Sequence, residues 1–209
     1  MQITPVMYRL RLPLLMTVIC LTVLTGCLGG SSPPVKYYVL SPAASEQPST
    51  SDSDLAIEIA TIHLPQYLDR PHLVTRSGDN RLKILQSHQW GGNLRKDMMR
   101  TLAINLSQLL DTANVSIAPH RASSPGSYRV VIEILRFEKD IDEHVKLTAQ
   151  WKITRGIDRK ILATQITTLN SNQPAEKDNY DDVVAMMSAQ FGQLATSIAT
   201  TIQQLESSK

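Results

Sequence analysis

The strictest pattern in this chain is the alternation from Val145 to Arg155. Val145, Leu147, Ala149, Trp151 and Ile153 fall on one side of a two-residue period, and Lys146, Thr148, Gln150, Lys152 and Thr154 on the other. Successive side chains of a strand point to opposite faces. The segment is therefore predicted as an antiparallel strand with one face on a core and one in water. A chain holding such a strand must build a sheet and cover one side of it.

Two helical patterns supply the cover. Leu94, Met98, Leu102, Leu106 and Leu109 recur at spacings of four and three behind Asn93, a good N-cap residue, and predict a helix to about Leu110. Met187, Phe191, Leu194, Ile198, Ile202 and Leu205 repeat the stripe over about Tyr180 to Glu206. Asp181 and Asp182 fall in that helix's first turn, where the helix dipole favours negative charge. Aliphatic stripes of this kind are core far more often than ligand grooves.

Further strands are predicted over Lys36–Leu40, Leu55–Leu64, Asn114–Ala118, Ser127–Lys139 and Lys160–Leu169. Leu55, Ile57 and Ile59 alternate, but Ile62 and Leu64 take the opposite phase, which implies a bulge or burial of both faces. His72–Arg76 and Arg81–Gln86 flank Ser77-Gly78-Asp79-Asn80, a turn composition that predicts a hairpin. Ser41–Asp54 reads as a polar surface loop. The expected fold is α+β: one domain over residues 35–209, with two amphipathic helices packed on a mainly antiparallel sheet.

The start of the chain follows a different logic. Arg9 and Arg11 precede an apolar run from Leu12 to Val23, which leads into Leu24-Thr25-Gly26-Cys27. The run is about a dozen residues, a signal-peptide length, and shorter than the ~20 needed to span a hydrocarbon core. The order reads as a bacterial lipobox. Residues 1–26 are the expected lipoprotein signal peptide, with either Met1 or Met7 as the start. Cleavage leaves Cys27 to carry N-acyl (palmitate) and S-diacylglycerol lipid, each buried methylene contributing about 0.8 kcal/mol of membrane affinity. Residues 27–34, with Gly29-Gly30-Ser31-Ser32-Pro33-Pro34, form a flexible tether. An Asp after the acylated cysteine commonly retains lipoproteins at the inner membrane. Leu28 instead points to a lipid-anchored position on the periplasmic face of the outer membrane.

Processing also changes what composition allows. Taking Arg9 and Arg11 from the 21 Lys and Arg leaves 19, matching the 19 Asp and Glu. A neutral mature chain gives no charge argument for nucleic acid. Of the 2 cysteines, Cys20 leaves with the signal and Cys27 is acylated, so no disulfide or thiol chemistry is expected in the folded part. No cofactor is implied beyond the covalent lipid on Cys27. The sequence lacks G-x-S-x-G, H-E-x-x-H, paired CxxC, phosphate-loop and dinucleotide patterns. His63, Asp69 and His72 come nearest to a metal set, but two of them flank a proline-bounded turn, and surface or satisfied loop roles suit them better. The chain reads as no enzyme.

The most distinctive stretch runs from Leu64-Pro65 through Gln66-Tyr67-Leu68-Asp69-Arg70-Pro71 to Val74-Thr75-Arg76. Two prolines stiffen a connection between strands. Tyr67 and Leu68 lie in a turn too short to bury both easily, while Asp69 and Arg70 can pair or cap locally. One reading is a rigid inter-strand corner. The other is a preformed protein-binding edge, with Tyr67, Leu68, Asp69, Arg70 and Arg76 as partner-binding residues, because aromatic and Arg side chains on rigid loops make good anchors.

Together with the lipobox, Lys36-Tyr37-Tyr38-Val39-Leu40-Ser41-Pro42, and Trp90 ahead of a helix containing Asn105-Leu106, this stretch resembles the ABC-type transport auxiliary lipoproteins, the PqiC/YmbA-like group. The resemblance runs through the chain in order. It departs at Gly91-Gly92-Asn93-Leu94, where the family usually has an Ala-Glu-Pro-Leu-like stretch, so the helix start is in question. The resemblance implies a compact α+β subunit of an intermembrane lipid transport system. Its expected partners are an MCE-domain protein of that system, the outer membrane through the anchor, and further copies in a homo-oligomeric ring. The implied role is docking in support of envelope integrity. The alternative is a periplasmic lipid carrier that holds an acyl chain in its own cavity; a lipoprotein hydrolase lacks a nucleophile pattern.

Overall fold

The alternating segment is a sheet strand in the computed structural model of this protein, which describes residues 33–43, 55–119, 127–156 and 158–208. The described strands are β1 (Lys36–Tyr38), β2 (Ile57–His63), β3 (His72–Gly78), β4 (Arg81–Trp90), β5 (Val115–Ile117), β6 (Tyr128–Lys139), β7 (Val145–Arg155) and β8 (Ile161–Asn170). The described helices are α1 (Leu94–Leu109) and α2 (Tyr180–Ser207). Cys27, Leu28 and the signal-peptide segment lie outside the described residues, as does the predicted loop beyond Ala43. Among the described residues, no helix is long and apolar enough to cross a membrane.

The sheet corrects one expectation: it is mixed rather than mainly antiparallel. Its order is β1-β4-β3-β6-β2-β5, with β7 on β6 and β8 beyond β7. β3–β4, β6–β7 and β7–β8 pair antiparallel. β1–β4, β2–β5, β2–β6 and β3–β6 pair parallel. Parallel neighbours need long crossover connections, and the β3–β4 hairpin and α1 supply one between β2 and β5. Local patterns reveal strands and hairpins, but such distant pairings leave no local trace.

Val145, Leu147, Ala149, Trp151 and Ile153 of β7 are all fully buried. α2 packs on β6, β7 and β8, and α1 on β2, β5 and α2. Phe137 of β6 meets Phe191 of α2 with ring centroids 6.2 Å apart. The phase slip in β2 is a bulge between Ile59 and Thr61. It lets Ile57, Ile59 and Ile62 all reach the core despite their uneven spacing. The helix start put in question by Gly91-Gly92 is intact, because the Asn93 side chain accepts from the Lys96 N–H at 3.1 Å. Such a cap stabilises by about 1 kcal/mol.

The segment after β1 crosses both helices. The Leu40 N–H donates to Asp97 Oδ2 and the Ala43 N–H to Asn105 Oδ1, each at 2.9 Å, while the Ser41 N–H donates to Ser188 Oγ at 3.1 Å. Gly192 of α2 makes the crossing possible, since a Cβ there would stand 2.2 Å from the Ala43 Cβ. Val35–Lys209 forms one compact unit.

Candidate functional site

The corner between β2 and β3 is built over a buried carboxylate. Up to Ile134, alternate residues of β6 (Tyr128, Val130, Ile132) face the core, and then the register slips between Ile134 and Arg136. The extra residue, Leu135, is expelled to 45% exposure, and Phe137 takes the core side. Glu138 thus falls on the opposite face, paired in register with Lys146. That face of the neighbouring β7 is polar, yet Glu138 is fully buried, because the Pro65–Pro71 segment folds over it.

Glu138 is well supplied with donors. The Tyr67 hydroxyl donates to Oε2 at 2.8 Å, and the Phe137 N–H to the same oxygen at 3.1 Å. Arg76 brings Nε at 3.0 Å and Nη2 at 2.9 Å to Oε1, and Arg136 Nε reaches it at 3.0 Å. A buried carboxylate is tolerated only when paired and hydrogen-bonded in this way. Burial and the bond to Glu138 push the Tyr67 phenol well above its ordinary value, so it stays a donor. Arg136 also reaches Asp140 at 2.6 Å, as does Lys146 at 2.7 Å. Burial alone would raise the Asp140 pKa, but hydrogen bonds from Lys146, the Ile141 N–H and Arg136 outweigh it and hold the value at about 2.

The backbone of the corner is equally constrained. The Leu68 N–H donates to the Pro65 carbonyl at 2.9 Å, the Arg70 N–H to the Leu68 carbonyl at 2.8 Å, and the Trp90 N–H to the Pro71 carbonyl at 2.7 Å. Leu68 is 3% exposed and belongs to the core. The turn thus buries Leu68 fully and Tyr67 only in part, in keeping with a turn too short to bury both easily. Leu68 packs inward, and Tyr67 packs against the core while its hydroxyl reaches Glu138.

The five residues singled out here fall into two groups. Tyr67, Leu68 and Arg76 face the interior or the Glu138 network. Asp69 and Arg70 lie outside that network. Asp69 does not pair with its neighbour Arg70; it takes Arg95 Nη2 from the first turn of α1 at 2.5 Å. Arg70 is half-buried, makes no ion pair among the described residues, and has a buried Nε without an acceptor there. Glu138 itself escaped the sequence reading. Its signal was available in the spacing of three from Ile134 to Phe137, beside Arg136, Glu138 and Asp140 at alternate positions. His63, Asp69 and His72 form no metal-binding group; none of three or more such side chains occurs among the described residues.

The arrangement is a polar lock centred on the buried Glu138 carboxylate. Residues 38–199 match the family model described as the ABC-type transport auxiliary lipoprotein component. The chain belongs to this family. The intermembrane transport lipoprotein PqiC of Escherichia coli is 23% identical over 185 residues, covering 87% of this chain and 93% of the relative. The PqiC of Shigella flexneri matches to the same extent. A crystal structure of an uncharacterized protein aligns with a TM-score of 0.66 at 19% identity, over 81% of this chain and 99% of that one. A Xanthomonas campestris protein aligns at 0.65 and 16% identity, with the same coverage. These two structures show the shared fold. An auxiliary transport lipoprotein family is a component class and not an enzyme class.

Proposed function

We propose that this auxiliary lipoprotein is a periplasmic subunit of a Pqi-like intermembrane lipid transport system, held at the outer membrane by acyl chains on Cys27 and docking an MCE-domain component. The observation that carries this reading is the family match across residues 38–199, joined by similarity to PqiC over nearly the whole of both chains. Leu28 supports the outer membrane over the inner, and the lipobox supports the anchor.

The corner is the proposed docking edge. Its inner side is locked on Glu138, so its outer side is presented without much conformational cost on binding. Arg70 is the group to test, as a guanidinium lacking an ion-pair partner among the described residues. A complementary acidic site on the partner would satisfy it. Arg70→Glu is expected to weaken co-purification with the MCE-domain component while the folded chain keeps its stability. Unchanged co-purification would return the corner to a purely structural role. Tyr67 is unsuitable for that test, because its removal also strips a donor from Glu138.

The carrier alternative loses its expected lining. Leu94, Met98, Leu102 and Leu106 of α1, and Phe191, Leu194, Ile198 and Ile202 of α2, are packed in the core. Near one phospholipid per chain in mass spectra of the purified protein would restore it.

A further inference from the structure

β1 is inside out in its chemistry. Tyr38 and Leu40 turn inward and are 7% and 4% exposed, while Val35, Tyr37 and Val39 turn outward at 40%, 67% and 59%. The inward side is fixed: the Tyr38 hydroxyl lies 2.9 Å from His88 Nδ1, and that ring lies 4.2 Å from the Tyr180 ring of α2. On β7 the water-facing positions are Lys146, Thr148, Gln150 and Lys152; on β1 and the residues that flank it they are Val35, Tyr37 and Val39. The outer edge of β1 is also free, because its only strand partner among the described residues is β4. Tyr37 and Val39 continue into an open groove of about 500 Å³, walled on its far side by Asp181, Val184, Ala185, Ser188 and Ala189 of α2, with the carboxylate and hydroxyl as its polar points.

We propose that this face of β1 lies against the lipid bilayer that holds the anchor. The inference rests on acylation at Cys27. From Cys27 to Val35 the chain advances eight residues, which reach at most ~28 Å when extended. β1 is therefore the first described strand after the anchor, and that reach keeps it in the neighbourhood of the membrane surface. Its chemistry suits that place. Tyrosine favours the headgroup level, where its ring is dehydrated and its hydroxyl stays wet. Val35 and Val39 add apolar area. The acyl chains fix the distance, and the β1 face sets which side of the domain is turned to the bilayer.

The test uses the full acylated protein in phosphatidylethanolamine–phosphatidylglycerol vesicles. Cys20 leaves with the signal and Cys27 is blocked, so Val39→Cys and, as a distant control, Ile166→Cys on β8 each offer a single thiol to an environment-sensitive fluorophore. The expected result is a several-fold fall in aqueous quenching of the Val39 label, with a blue shift, and full quenching of the Ile166 label. Equal quenching on bound vesicles overturns the orientation while leaving the anchor in place. Failure to co-sediment with vesicles overturns the anchor and this inference with it. Protection that vanishes on dilution within the bilayer, or that arises only with an added partner protein, assigns the face to a second copy or to that partner and overturns the inference.

Discussion

The corner over β6 and the short strand β1 invert each other. The corner carries tyrosine, two arginines and an aspartate, residue types expected at the surface, and turns Tyr67 and Arg76 onto a fully buried glutamate. β1 and its flanking residues carry tyrosine and valine, expected inside, and display Val35, Tyr37 and Val39. Residue type alone misreads both places, because burial depends on what the rest of the chain lays over a segment. The Pro65–Pro71 loop covers Glu138; among the described residues nothing covers the outer side of β1. Polar residues thus hold the structure in one region, and apolar residues are left free for an outside contact in the other.

The largest expected effect tests the buried half of that contrast. Glu138→Ala would leave Arg76 and Arg136 crowded without their shared anion, and its expected cost is about 3–5 kcal/mol. Chemical denaturation reads it as a lower midpoint at unchanged slope. A loss below about 1 kcal/mol would mean that water already solvates the network, as at surface ion pairs. Tyr67→Phe keeps the ring and removes one donor, and is expected to cost about 1–2 kcal/mol.

Acid should act on the same region. The folded pKa of Asp140 is depressed to about 2 from 3.8, so its contribution is complete above the unfolded value. It is lost as pH falls through that window toward the folded value. Stability measured from pH 5 to 2 should decline, and Asp140→Asn should flatten part of the decline while lowering stability at pH 7. A variant with the same acid profile as the parent would place the sensitivity in other carboxylates.

The smallest stability effect belongs to the exposed half. Val39→Thr should stay within about 0.5 kcal/mol of the parent. A larger loss for Val39→Thr would show that the β1 face is packed in solution, removing the contrast between the two regions.

Much of the fold was legible because local periodicity reports local structure. β7 occupies Val145–Arg155 as its alternation requires, α1 begins behind Asn93, and the hairpin turns where Gly78-Asp79-Asn80 predicts. The bulge in β2 was legible from a phase slip between Ile59 and Ile62. The same kind of slip between Ile134 and Phe137 went unread in β6, and with it the site's central residue. The corner was conspicuous in sequence as Pro65-Gln66-Tyr67-Leu68-Asp69-Arg70-Pro71, but the direction each side chain takes was not.

What the sequence determined by itself is therefore the set of elements, their order, the inner faces of β7 and the two helices, and the family to which their motifs point. Each depends on spacings of two to four residues along one segment. Tertiary structure alone decided the parallel pairings of β2 with β5 and β6, the burial of Glu138 beneath Tyr67, and the pairing of Asp69 with Arg95 instead of Arg70. Those contacts join residues 26 to 71 positions apart. Over such separations no local period survives, and the packing of the whole domain selects the partner.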